Sequence, residues 1–387
     1  MQVIQLKMDK KNKWLAFVIM MVGLLSCNNK DKVGKQLVIA NTLAVDRAEL
    51  ASIPYREFLK VYNTHSAPKR FKLVDDKGKE YAYQLEKKGS DSIVNVLIWI
   101  AIPANSEVRL HAVSGEPAAV TAKTFARYVP ERYDDFAWEN DRIAFRMYGK
   151  ALEGRPDDAQ GLDIWAKRTE KLVVDEWYKT GDYHKDHGDG LDYYSVGMTL
   201  GAGDIAPYAA DKIIYSKHYR KHEVLDNGPL RTTFRLSYEP WQVNDRVVSL
   251  TKTITLDAGS QLNRVELLYH FEGGGKLPLV AGIVLRQEEG GKIIKNLSKG
   301  IAAYWEPPHG EDGTLGIAVL GQTDLPEITE NEGQLLAHFS AIADQPLVYY
   351  NGGAWDKAGK IHNANEWEQY LTSYKEKVNN PLSISIK

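Results

Sequence analysis

The chain has 387 residues with 49 Lys and Arg against 51 Asp and Glu, a formal charge of -2, which excludes nucleic-acid binding through a strongly basic surface because phosphate recognition needs clustered cations. Hydrophobic residues at 43% and charged ones at 26% describe a chain that can bury a large core and is too apolar to stay disordered. A single cysteine excludes an internal disulfide framework and any multi-cysteine metal site.

The first segment accounts for that cysteine. Lys10, Lys11 and Lys13 precede an apolar run, 14–25, that closes as Leu24-Leu25-Ser26-Cys27. A basic flank, a short apolar core and a small residue before Cys make a lipoprotein-type secretory signal, and the run is too short to span a bilayer comfortably. Residues 1–27 are therefore read as signal, Cys27 as the lipidated amino terminus and 28–35 as a polar tether. The expectation is a protein held to a membrane only by that lipid, in the periplasm or on the outer-membrane surface of a Gram-negative cell.

From residue 36 onward the pattern is short runs of period-two alternation separated by Gly, Pro, Asn and Asp, which is the antiparallel strand pattern. An early block, 36–117, includes the apolar run 94–102 and ends at Gly115-Glu116-Pro117; residues 118–387 then form the main sandwich, where the site is expected. Within it, Thr232, Phe234, Leu236 and Tyr238 share one face of a strand, Val248, Leu250, Ile254 and Leu256 alternate in the next, and Val265, Leu267, Tyr269 and Phe271 in the third. Lys252 is out of place among them. Helical patterning is confined to 169–178 and 364–378. The fold class expected is all-β, a large antiparallel β-sandwich with few short helices.

Two polar segments, 127–142 and 161–203, interrupt the strands, and loops rich in ionisable groups on a β scaffold are where sites sit. In the second, His184 and His187 precede Asp189, Asp192 and Tyr193. His184, His187 and Asp189 can ligate a divalent metal, or an imidazole can serve as acid or base, or the loop can simply be solvated. Trp165, Lys167 and Arg168 place cations beside a large ring, suited to an acidic sugar; on a strand, Lys167 shares the Trp165 face and Arg168 does not. In the first segment Trp138, Glu139, Asp141 and Arg142 admit a paired-carboxylate site, but structural ion pairing is the simpler reading. His309 after Pro307-Pro308 and Trp355 after Tyr349-Tyr350-Asn351-Gly352-Gly353 are candidate rim residues of a cleft.

The blocks VPERYDDFAWENDRIAFRMYG, GLDIWAKR, YHKDHGDGLDYYSVG, NGPLRTTFRLSY, LTKTITLDAGSQLN and YYNGGAW together resemble a Bacteroidetes lipoprotein family, a domain of unknown function that includes the ulvan oligosaccharide dehydratases. The resemblance runs from about Leu37 to the end. It implies a sandwich related to the galactose-mutarotase supersandwich and work on uronic-acid oligosaccharides, an acidic glycan being the partner. The reaction so implied removes the C5 proton of a non-reducing uronic acid and expels the C4 hydroxyl as water, giving a 4,5-unsaturated end. That needs a base, an acid and a cation for the carboxylate. His184, His187 and Tyr193 are the proton-transfer candidates, Lys167 and Arg142 the cations, and Trp165, Arg168, Trp138, His309 and Trp355 the substrate-binding set. A lyase, with a sugar leaving in place of hydroxide, uses nearly the same groups. An aldose mutarotase or epimerase, or a non-catalytic glycan-binding lipoprotein, is also compatible with these residues.

Overall fold

The computed structural model describes residues 35–62 and 70–387; the signal, Cys27 and the tether through residue 34 lie outside the described residues. In the strand Arg231–Val243, Thr232, Phe234, Leu236 and Tyr238 are buried while Arg231, Arg235 and Ser237 are partly exposed. The same alternation carries Arg246–Asp257 and Leu262–Phe271. Side chains on a strand point alternately to its two faces, so these strands close one layer of a core. They belong to an eight-stranded antiparallel sheet completed by Lys221–Asn227, Pro346–Trp355, Leu315–Gly321, Ile301–Trp305 and Lys292–Asn296.

Two five-stranded sheets form the facing layer. One runs through Thr124–Val129, Asp135–Asn140, Ala144–Met147, Leu162–Lys167 and Gly190–Leu191; the other is centred on Ala202–Ala209, Lys276–Val284 and Gln334–Ile342. A parallel bridge from Leu162 to Gly201 links them. Phe136, Trp138, Phe145, Ile164, Phe234, Tyr269, Ile283 and Leu335 meet in the shared core. The helix Ala364–Asn379, capped by the Asn363 side chain, lays Trp367 and Leu371 on the other face of the eight-stranded sheet.

The N-terminal region has its own core, including Leu37, Ile39, Phe58, Phe71, Ile98 and Leu110. Its five-stranded sheet takes its edge strand from the far end of the chain: Ser383–Ile386 pairs with Leu37–Asn41. Residues 118–387 thus contribute a strand to the N-terminal region. The 94–102 run is a strand, Asn95–Ile102, buried at most positions but with Trp99 and Ala101 reaching solvent. The 169–178 helix is observed as Val174–Thr180.

Lys252 turns inward because Asp204, on the facing layer, turns inward too. The two form an ion pair inside the sandwich, with the ammonium 4.9 Å from the Tyr238 ring centroid. Lys252→Met is expected to cost about 3 kcal/mol or more by stranding the Asp204 carboxylate. The double change Lys252→Met, Asp204→Leu should recover most of that in urea unfolding. A single variant as stable as the parent would show that the pair carries no structural weight.

Candidate functional site

The strand Leu162–Lys167 sends Leu162, Ile164 and Ala166 into the main core and Asp163, Trp165 and Lys167 to the opposite face. That face is covered by the segment 168–192, and the cover is fastened at its start. Glu139 accepts hydrogen bonds from the Val173 and Val174 N–H groups at 2.8 and 2.7 Å, meeting unpaired donors where the helix Val174–Thr180 begins. Lys167 Nζ sits 2.5 Å from Glu139 Oε2 and donates to the Asn140 and Lys171 carbonyls, both at 2.7 Å. Burial pulls the Lys167 pKa down, with Glu139 opposing.

This placement corrects four sequence assignments. An ammonium has three protons, and all three of those on Lys167 are engaged inside the protein, so it cannot meet a substrate carboxylate. Trp165 is wholly buried, packed between Trp177 and Tyr183 with centroids at 5.5 and 5.3 Å, so no ring face remains for a sugar. Trp138 is a core residue whose indole donates to Asn263 Oδ1 at 2.8 Å. Arg142 is engaged by carboxylates of the protein itself, Glu170 at 3.0 Å and Asp141 at 3.9 Å. Glu139, in its capping role, is equally excluded from a carboxylate pair.

The metal set does not fit either. His184 Nδ1 lies 2.8 Å from the Asp192 carbonyl, His187 Nε2 2.9 Å from Asp182, and Asp189 faces Lys171 at 3.9 Å. The three diverge, and among the described residues no group of three His, Cys, Asp or Glu side chains is placed to hold a metal. Both histidines are exposed and border the cover.

Four candidates do come together, at one end of the sandwich where strands run out into loops. The Tyr193 and His309 rings stack with centroids 4.9 Å apart and planes 13° from parallel. Asp312 joins this pair to Trp355: its carboxylate is 3.3 Å from His309 Nδ1, and its carbonyl accepts from the Trp355 indole at 2.8 Å. The Arg168 guanidinium lies 5.5 Å from the Trp355 ring centroid, held by the Gly188 carbonyl at 2.9 Å and by Asp186.

Two further residues, Arg286 and Glu306, complete the patch. Arg286, just beyond the strand Lys276–Val284, lies 2.6 Å from Glu306 and 2.9 Å from the Ser195 carbonyl, 4.5 Å from the Tyr194 ring centroid. Burial raises the Glu306 pKa, and Arg286 opposes it. Burial depresses that of Arg286, but Glu306 more than offsets it and the net direction is up. The Tyr193 hydroxyl is buried without a hydrogen-bond partner, and burial, with the Glu306 and Asp356 carboxylates, holds it firmly protonated. Glu306 was within reach of sequence reasoning, three residues before His309 in WEPPH. Arg286 sits in a charged turn with no motif, and only the fold brings it there. The patch thus offers two guanidinium groups, one protonated phenol and one exposed imidazole, a set suited to a carboxylate and to moving protons.

Residues 39–384 match the family described as Domain of unknown function (DUF4861). A protein of Formosa agariphila named "Uncharacterized protein P7" is 30% identical over 397 residues, covering 96% of this chain and 98% of its own length. Among solved structures, a glycosyl hydrolase family 38 protein from Enterococcus faecalis is 10% identical with a TM-score of 0.50, covering 92% of this chain and 48% of that one. An alpha-mannosidase from Enterococcus faecalis V583 is 9% identical with a TM-score of 0.49, covering 97% of this chain and 48% of its own. The chain spans about half the length of these two structures, and at such identity the likeness concerns the fold alone.

Proposed function

The chain belongs to the DUF4861 family, and from that footing we propose that it is a carbohydrate-active dehydratase, eliminating water from the non-reducing uronic acid of an ulvan-type oligosaccharide. The observation that carries the reading is the Tyr193–His309 stack, with Arg286 in electrostatic reach of Tyr193 and Arg168 joined to it through Trp355 and Asp312. The sequence blocks that resemble the oligosaccharide dehydratases support it. In this reading the chain is also lipid-anchored through Cys27.

The guanidinium groups of Arg286 and Arg168 receive the uronate carboxylate and stabilise the charge that grows on it as C5–H breaks. His309, braced by Asp312, takes the C5 proton. Tyr193 gives its proton to the C4 hydroxyl, the C4–O bond breaks, water leaves and the electron pair closes the C4–C5 double bond. Sugar reaches the Tyr193 hydroxyl when the His309 loop shifts, in keeping with catalytic contacts that tighten only around substrate.

The test is a purified chain mixed with uronate-ended oligosaccharides. Ultraviolet absorbance from the conjugated double bond is expected to rise, with mass spectrometry showing loss of one water from the intact oligomer. Chain shortening instead would mean a lyase. Normal turnover of a substrate whose carboxylate has been reduced to an alcohol would rule out elimination altogether, because that group is what makes C5–H removable.

A further inference from the structure

The sheet face under the 168–192 cover carries a cluster that the chemistry above does not use. Arg146, on Ala144–Met147, pairs in register with Asp163. Its Nε and Nη2 lie 2.8 and 2.5 Å from Asp163 Oδ2, and Nη2 is 3.0 Å from Asp192 Oδ2. Asp135, on the same face, brings Oδ2 to 3.9 Å from Arg146 Nη1. The Gly149 N–H approaches Asp135, yet neither carboxylate oxygen makes a hydrogen bond of ordinary geometry, although the residue is 0% exposed. Arg146 Nη1, Arg132 Nη1 and the Tyr178 hydroxyl are also buried without a hydrogen-bond partner. Asp135 is within electrostatic reach of Arg132, Arg146 and Tyr178.

Protein interiors pair nearly all their buried polar groups, so five orphan atoms on four side chains call for a common cause. The five comprise three donors and two acceptors. Two guanidinium groups face three carboxylates, and burial, against the pull of Arg146 and Arg132, pushes Asp135 up to about 7, which brings the cluster close to neutral. An anion would meet Asp163 and Asp192, and a cation would meet Arg132 and Arg146. A neutral molecule bearing hydroxyls answers both kinds of orphan, because each hydroxyl donates and accepts. Tyr178 and Tyr183, 5.2 and 5.3 Å from the Trp165 centroid, roof the cluster, and a face of Trp165 becomes free only when Tyr183 lifts.

We infer that Arg132, Asp135, Arg146 and Tyr178 form a second carbohydrate site that takes one neutral sugar ring, distinct from the carboxylate-handling patch at Tyr193 and His309. Arg146 Nη1, Arg132 Nη1 and the Tyr178 hydroxyl donate to ring hydroxyls, whose own protons go to Asp135. Entry requires the helix Val174–Thr180 and Tyr183 to lift. The inference stands on the orphan atoms and holds whether or not the chain eliminates water.

Binding is to be measured on the full chain with D-glucose, D-xylose and L-rhamnose, and with D-glucuronate as the charged comparison. A neutral sugar is expected to bind and to slow amide exchange across Val174–Thr180. Tyr178→Phe and Asp135→Asn are each expected to weaken it about tenfold, the loss of one or two hydrogen bonds. Tyr178→Phe removes only a hydroxyl that has no hydrogen-bond partner, so its effect on sugar affinity is read apart from any effect on the fold. Asp135, whose pKa is raised in the folded chain, gives stability that is present at low pH and lost as pH rises through about 7. Its other neighbours, Asp163, Asp192, Tyr148 and Tyr219, all resist further negative charge, and the Asn variant should lose that decline. Failure of all three neutral sugars to bind would overturn the inference. So would preference for glucuronate, or variants that lower the melting temperature without changing sugar affinity.

Discussion

Tyr193→Phe is expected to cut turnover of a uronate-ended oligosaccharide about 10²- to 10⁴-fold, the range of one positioned proton transfer, while leaving the unfolding midpoint unchanged or slightly raised. The two halves of that result come from one atom. The hydroxyl is buried with no hydrogen-bond partner, so it adds no stability through bonding, and removing it removes an unsatisfied polar group. The ring itself stays, still stacked against His309. His309→Ala should fall by a similar factor, and the double variant by little more than either single one, since the two act in the same step. A Tyr193→Phe chain that keeps its activity would remove Tyr193 as the acid, and one that loses stability and turnover together would make the ring a packing element.

Lys167→Met is expected to destabilise the fold by about 3–5 kcal/mol, because it leaves the Glu139 carboxylate buried without its cation. Both side chains of this pair are 0% exposed, so water cannot take over. The loss should not stay local. Glu139 also holds the Val173 and Val174 N–H groups, and a carboxylate that picks up a proton to survive unpaired binds them less well. Faster proteolysis and amide exchange across Val174–Thr180 are therefore expected before the rest of the chain unfolds. Lys167→Met that left stability untouched and removed only activity would return Lys167 to the substrate.

That contrast locates what residue patterns could and could not say. Strand parity was readable: Asp163, Trp165 and Lys167 do share a face, and the three alternating runs around 231–271 are strands. Parity does not say which face an insertion covers, and here the face rich in a cation and an indole lies beneath the helix Val174–Thr180. The same limit applies to Lys252, whose misfit in an apolar alternation made sense only once Asp204 appeared opposite it. At the candidate site, Tyr193 and His309 were chosen in loops, Trp355 as a rim residue and Arg168 on the strand face opposite Trp165; what brings them together is that the ends of the strands Leu162–Lys167 and Pro346–Trp355 meet those loops. Arg286 was missed because what places it beside Glu306 is strand order across two sheets, and no local spacing encodes that order.

The strand Ser383–Ile386 that closes the N-terminal sheet has a consequence for the order of assembly. The N-terminal sheet is synthesised well before the strand that finishes it. Until residue 386 has been made, Leu37–Asn41 presents a bare row of backbone donors and acceptors above Leu37 and Ile39, the kind of edge that recruits strands from other chains. Contacts spanning almost the whole sequence also form slowly. A chaperone that shields this edge during synthesis is therefore expected to raise the yield of folded protein. Chains lacking 383–386 should accumulate as aggregates even though the large sandwich contains none of the missing residues.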